Sequence, residues 1–124
     1  MKIFATKEFS RYARRESLGN DQLCEAARRV ARGILDADLG GGLIKQRVGR
    51  IGQGRSGGIR FLMAFRATHR IVFLYGFAKN ERDNIEPDEL RFWRTVAAAI
   101  VQMSQTKIEK MLDDGELREV NCDQ

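Results

Sequence analysis

Cationic residues are concentrated between positions 45 and 82, where the chain is otherwise apolar. This segment holds nine Lys and Arg against one acid, Glu81, which gives a local charge of +8 in a chain whose net charge is +5. It also contains two runs rich in Phe, Ile and Val, which are too apolar for a solvated charged segment. We therefore predict that the cations gather along one face or rim of a folded sheet. Such a surface suits a polyanion, and nucleic acid is the foremost candidate.

The length of 124 residues suits one domain with one sizeable core. We assign residues 1–112 to this domain. Residues 113–124 hold five acids against one Arg and are expected to form a frayed acidic tail. A tail that competes with nucleic acid for the basic face is the alternative that electrostatics permits.

Two further features bear on the compartment in which the protein works. No apolar run approaches the roughly 18 residues that a membrane span requires, and residues 1–9 do not resemble a signal peptide. Cys24 and Cys122 lie far apart and show neither metal-site spacing nor a disulfide framework. We expect a cytoplasmic protein that does not associate with a membrane and whose two thiols are reduced.

Hydrophobic periodicity predicts an α+β domain in which helices cover a small, mostly antiparallel sheet. The first strand covers residues 2–5. A first helix begins at Thr6, and a second is capped by Asn20 or Asp21. Three strands follow at residues 43–51, 59–66 and 70–77, with a flexible loop at 52–58, and one long helix begins near Pro87 and ends around Asp113. The predicted order is thus β-α-α-β-β-β-α.

The last two predicted strands form a hairpin whose register decides which side chains meet. A two-residue turn at 67–68 places Arg60 opposite Tyr75, on the same sheet face as Phe77 and Lys79. A cation beside an aromatic ring could then hold a base together with its phosphate. The alternative is that Tyr75 and Phe77 are simply core residues under a helix.

Alternation in the strand before this hairpin places Lys45 and Arg47 on one side, with apolar residues and Gln46 on the other. In the C-terminal helix, Phe92 and Trp93 are expected to belong to the core rather than to a stacking surface.

Motifs for most enzyme classes are absent from the sequence. It lacks the spacings of zinc sites, of phosphate-binding P-loops and of serine hydrolases, and we predict neither a metal nor a cofactor. His69 could serve as a general acid, although a lone surface His is expected to be uncommitted. One reaction stays open to a site made of Lys and Arg, namely cleavage of RNA by its own 2′-OH. Arg can stabilise the added negative charge, and Lys45 or Lys79 can serve as base or acid.

Two sequence blocks resemble those of a known family. Residues 54–60 read Gly-Arg-Ser-Gly-Gly-Ile-Arg, and residues 75–82 read Tyr-Gly-Phe-Ala-Lys-Asn-Glu-Arg before an Asn-Ile-x-Pro helix start. They resemble the RelE/ParE superfamily of bacterial toxins, in its HigB-like branch, over residues 2–112. The resemblance implies a small twisted sheet flanked by two N-terminal helices and one C-terminal helix. It also implies an mRNA endonuclease that needs the ribosome and an antitoxin that neutralises it.

The resemblance also implies roles for single residues. Arg60 matches the family's phosphate-stabilising Arg, Lys79 and Arg82 belong to the block that ends the last strand, and Lys45 lies on the strand where relatives place catalytic lysines. Asn80 stands where the founding pattern has a second Arg, and Glu86 stands where it has a Tyr. The predicted catalytic residues are therefore Arg60, Lys79, Arg82 and Lys45, and the predicted RNA-binding residues are Arg47, Arg50, Arg55, Tyr75 and Asn80.

Two other functions are compatible with the same sequence. The ParE-like branch resembles this fold but acts on DNA gyrase, and such a protein does not need a converging set of cations. A non-catalytic RNA-binding module would bind RNA and leave message ends intact. The expected partners of a nuclease toxin are an antitoxin, the ribosome and mRNA.

Overall fold

The computed structural model describes residues 1–50, 54–67, 69–78 and 85–122, and for residues 49–50 and 54–57 it describes the backbone alone. Within these ranges the chain forms six strands and four helices. In chain order they are β1 (Lys2–Thr6), α1 (Lys7–Arg15), α2 (Asn20–Ala31), β2 (Ala37–Gly40), β3 (Leu43–Arg50), β4 (Gly54–Arg66), β5 (Arg70–Ala78), α3 (Pro87–Val101), α4 (Gln105–Asp113) and β6 (Leu117–Glu119).

The six strands form one sheet in the order β2-β3-β4-β5-β1-β6. The β1–β5 pair is parallel, and every other neighbouring pair is antiparallel. One apolar cluster joins the sheet to α1 and α2, and a second joins it to α3 and α4. Strand β5 lies in the interior of the sheet and is buried almost throughout, as its continuous apolar sequence favours. The predicted α+β class is confirmed.

Helix α1 begins where the sequence predicts and packs closely on β5. The hydroxyl of Thr6 accepts a hydrogen bond from the Phe9 backbone N–H, 3.1 Å away. A Cβ added at Gly76 would overlap the ring of Tyr12 on this helix. Gly76 therefore lets α1 pack closely on β5, at the position next to Tyr75.

The prediction of a single C-terminal helix is wrong, because the helix is interrupted between α3 and α4. The guanidinium of Arg70, on the hairpin, donates to the carbonyl oxygens of Ile100 and Met103 at 2.9 and 2.8 Å. Ser104 then caps α4 by accepting a hydrogen bond from the backbone N–H of Lys107. Burial, together with the nearby charge of Arg66, lowers the pKa of Arg70. The break is thus stabilised by contacts from a distant part of the chain.

Residues 113–122 belong to the fold and do not form a frayed tail. Strand β6 pairs with β1 at the sheet edge, and Leu117 and Val120 are buried. Cys24 on α2 and Cys122 form a disulfide, so the prediction of two reduced thiols is wrong. The two cysteines are 98 residues apart in sequence, and only the fold brings their Cα atoms to 5.6 Å, a distance that a disulfide can span. The sequence alone therefore did not indicate the pair.

Strand β2 was also not predicted, and β4 begins at Gly54 instead of residue 59. Strand β2 pairs with β3, and the β3–β4 ladder continues to Arg50 and Gly54. Pairing with a neighbour here overrides the weak strand preference of Gly and Ser. Among the described helices, none is both long enough and apolar enough to cross a bilayer.

Candidate active site

The pairing of β3 with β4 brings cations from both strands onto one face of the sheet. Arg47 lies directly opposite Arg60, and Lys45 lies opposite Leu62. The other face of β3 is apolar apart from Gln46, which is fully buried. The predicted sidedness of β3 is therefore confirmed.

Three hydrogen bonds hold β3 at this point. The side-chain amide of Gln46 donates to the Ile34 carbonyl at 2.7 Å, and its oxygen accepts from the Arg47 backbone N–H at 3.0 Å. Arg29 on α2 donates to the carbonyl of Arg47 at 3.2 Å. The strand that carries two of the cations is thus attached to α2 and to the segment that follows it.

Asp36, just before β2, lies among the three cations. Its Oδ2 is 3.5 Å from Lys45 Nζ and 3.5 Å from Arg60 Nε, and its Oδ1 is 3.4 Å from Arg47 Nε. We call these four residues the cation cluster. Three cations and one carboxylate leave a net charge of +2, which attracts an anion such as a phosphodiester.

Arg60 is the most buried cation of the cluster. Its side chain is only 7% exposed, against 16% for Lys45 and 45% for Arg47. Its Nη1 is buried and has no hydrogen-bond partner within the described part of the chain. An unpaired buried donor costs about 1–3 kcal/mol, so an acceptor brought to this nitrogen would be bound favourably.

The hairpin register differs from the prediction. Arg60 pairs with Phe77 rather than with Tyr75, and Tyr75 pairs with Leu62. Arg66 pairs with Arg70, so three residues separate the strands where a two-residue turn was predicted, and the ladder is irregular after Leu62. Each of these two features shifts the register by one position. The two shifts together preserve the side-chain face, which is why Arg60 and Phe77 still share one side of the sheet.

Tyr75 occupies a position between the core and the surface. Its ring stacks on Trp93 of α3 with centroids 5.3 Å apart, and it lies 6.1 Å from the ring of Phe77. Phe77 is buried, as expected for a core residue. Phe92 was predicted to be core but is 58% exposed, because it lies on the side of α3 that faces away from the sheet. Tyr75 pairs with Leu62, two residues along β4 from Arg60, so Tyr75 and Arg60 are near neighbours on the same face of the sheet.

Several predicted site residues cannot be placed. Lys79, Asn80 and Arg82 lie outside the described residues, as do the side chains of Arg50 and Arg55. Their assigned roles stay predictions.

His69 lies away from the cation cluster. Arg66 lies six strand residues, or about 20 Å, along β4 from Arg60, and His69 lies in the loop beyond Arg66. Across the described ranges, no three His, Cys, Asp or Glu side chains are grouped so that they could hold a metal ion. The cation cluster itself consists of Lys45, Arg47, Arg60 and Asp36.

Sequence reasoning missed Asp36 because this residue lies outside the cationic segment. The signal that could have found it is a lone pair of acids, Asp36 and Asp38, directly before a segment of nine cations. These two acids are the nearest counter-charges on the N-terminal side of that segment.

A comparison with models of known protein families gives a match to this chain. A family model described as "RelE toxin of RelE / RelB toxin-antitoxin system" matches residues 1–120. No curated protein matches the sequence significantly. The matched range contains all of the strands and helices described above, from β1 to β6.

Proposed function

Because the chain belongs to the RelE family of toxins from toxin–antitoxin systems, we propose that it is an endoribonuclease that cuts mRNA on the ribosome and thereby stops translation. The observation that carries this proposal is the cation cluster, with its net charge of +2 and the unpartnered Nη1 of Arg60. Membership of the family implies an antitoxin as partner. The ribosome and mRNA are the partners that the proposed reaction requires, and they place the protein in the cytoplasm. The HigB-like branch stays a prediction.

The proposed reaction uses the RNA's own nucleophile. The 2′ oxygen attacks the adjacent phosphorus while its proton passes to a base, and the bond from phosphorus to the 5′ oxygen breaks as that oxygen gains a proton. The products are a 2′,3′-cyclic phosphate and a 5′-hydroxyl. The reaction needs no metal, because cationic side chains stabilise the negative charge that develops on the phosphoryl oxygens.

Each residue of the cluster has a role in this scheme. Arg60 stabilises the phosphoryl oxygens through its planar fork of donors. Lys45, together with Lys79, supplies the base and the acid. Arg47 is the most exposed of the three clustered cations and holds the RNA backbone.

The remaining predicted residues complete the binding surface of the proposal. Arg82 adds a further cation for the transition state. Tyr75 provides an aromatic surface near the cleaved phosphate, and the other RNA contacts are assigned to Arg50, Arg55 and Asn80.

The experiment that tests the function is induced expression with and without the neighbouring antitoxin gene, followed by sequencing of transcript 5′ ends. We expect new 5′ ends within translated messages when the toxin is expressed alone, and none when the antitoxin is present. Loss of DNA supercoiling without new ends would instead identify a gyrase inhibitor. Growth arrest with intact messages and normal supercoiling would identify an RNA-binding protein that does not cleave.

A further inference from the structure

A main-chain hydrogen bond fixes the position of Asp36. The Asp36 backbone N–H donates to the carbonyl of Lys45 at 2.9 Å, directly before β2 pairs with β3. This bond fixes the residue beside the strand that carries Lys45 and Arg47. The Asp36 side chain is 21% exposed, so water only partly screens its contacts with the cations.

Both oxygens of this carboxylate are engaged by cations. Oδ1 faces Arg47, and Oδ2 faces both Lys45 and Arg60. The physical effect of the carboxylate is to offset repulsion between three cations on adjacent strands and to restrict their side-chain rotation.

The contact with Arg60 also determines the direction of the guanidinium. Asp36 engages the Nε side of the group, while Nη1 is buried without a partner among the described residues. Since the guanidinium is planar, holding Nε fixes the plane in which the other nitrogens lie. The remaining donors of the guanidinium therefore lie in a plane that this contact restricts before an anion binds.

We propose that Asp36 is a positioning residue for the reaction, which holds Lys45 and Arg60 in the geometry that meets the RNA phosphate. This inference rests on the proposed nuclease function. Asp36 does not contact the RNA in this scheme. It acts through the two cations, and its removal displaces them from the reacting phosphate.

The test uses purified full-length toxin with ribosomes programmed with a defined message. Single-turnover cleavage is measured on the normal message, and binding is measured with the same message carrying a 2′-deoxy nucleotide at the cleavage position. The variants are Asp36→Asn, Asp36→Glu and the matched control Asp38→Asn. Asp38 is an exposed acid two residues away whose Oδ1 accepts a hydrogen bond from the Gly40 backbone N–H.

We expect Asp36→Asn to lower the cleavage rate about 100-fold, the effect that small misplacements of reacting groups produce. Its dissociation constant for the uncleavable message should change less than about threefold. Asp36→Glu should recover part of the rate because it restores the charge, and Asp38→Asn should match the wild type. Thermal melting of each variant shows that the loss is measured on folded protein.

A double-mutant cycle separates positioning from general destabilisation. If Asp36 acts through Arg60, Asp36→Asn should lower the rate much less in an Arg60→Lys background than in the wild type. An equal drop in both backgrounds would overturn the positioning of Arg60 by Asp36, and a wild-type rate for Asp36→Asn would overturn the positioning role as a whole. If the wild-type toxin leaves the message intact, the proposed function itself fails, and the inference fails with it.

Discussion

The Nε atom of Arg60 lies 3.5 Å from the Oδ2 atom of Asp36, and this ion pair links a central strand to the segment that enters β2. The pair is largely shielded from solvent, since the Arg60 side chain is 7% exposed. A guanidinium held in this way cannot relax freely toward water. Its orientation is a property of the fold, which makes it suitable for binding a phosphate without reorganisation.

Replacement of Arg60 should abolish growth arrest. Arg60→Ala removes the donors that face the phosphate, and we expect the cleavage rate to fall about 1,000-fold. Arg60→Lys keeps the charge but loses the planar fork, so it should also be severely impaired. The measurement is growth after induction together with mapped 5′ ends.

The matched control for Arg60 is Arg91→Ala. This Arg on α3 is exposed, and its ion pair with Asp88 lies on the helix surface. Its removal should leave toxicity unchanged. Because Arg60 is buried, each variant needs a thermal melt, and a folded Arg60→Ala protein that is still fully toxic would contradict the assigned role.

Lys79→Ala should have a milder effect than Arg60→Ala. Loss of one proton-transfer group is expected to lower cleavage about 100-fold while RNA binding is largely kept. Transcript 5′ ends should appear at the same positions but at lower frequency. Lys110→Ala on α4, where the Lys is exposed and paired with Asp114, serves as control. Unchanged end frequencies in Lys79→Ala would remove Lys79 from the mechanism.

Arg70 should matter for stability far more than its neighbour Arg66. Arg70→Ala leaves the carbonyls of Ile100 and Met103 without their charged donor, and we expect a loss of about 3 kcal/mol in the free energy of unfolding. Arg66 is exposed and donates a hydrogen bond to the Val101 carbonyl, so Arg66→Ala should cost less than about 1 kcal/mol. Urea unfolding of both variants tests this difference, and equal losses would show that the α3–α4 break does not depend on Arg70.

Reduction of the disulfide between Cys24 and Cys122 should destabilise the protein. The bond closes a loop of 98 residues, for which the chain-entropy account gives about 4–5 kcal/mol. Urea midpoints measured with and without a dithiol reductant should therefore differ in the wild type. In Cys122→Ser the reductant should have no effect, and an unchanged wild-type midpoint would argue against the bond.

Local sequence signals predicted the parts of the fold that depend on neighbouring residues. The alternation of Lys45 and Arg47, the Thr6 cap and the helix start at Pro87 are all found in the structure. Each depends on residues within a few positions, where periodicity and capping preferences act directly.

Features that depend on tertiary contacts were not predicted. The register of Arg60 depends on a three-residue loop and on an irregularity inside the hairpin, neither of which has a clear sequence signal. The helix break depends on Arg70, about 30 positions earlier. Asp36 enters the site only because β2 folds beside β3. Convergence of residues that are distant in sequence is set by packing, which a single sequence does not reveal.

The link between Cys24 and Cys122 makes the polypeptide a covalent ring with two short ends. A protease that cuts once anywhere inside the ring opens it without separating any fragment. On a gel the nicked protein would keep its full mass until a thiol reductant is added, when two bands would appear. The same connection keeps α4 and β6 attached to α2 even when the backbone between them has been cut.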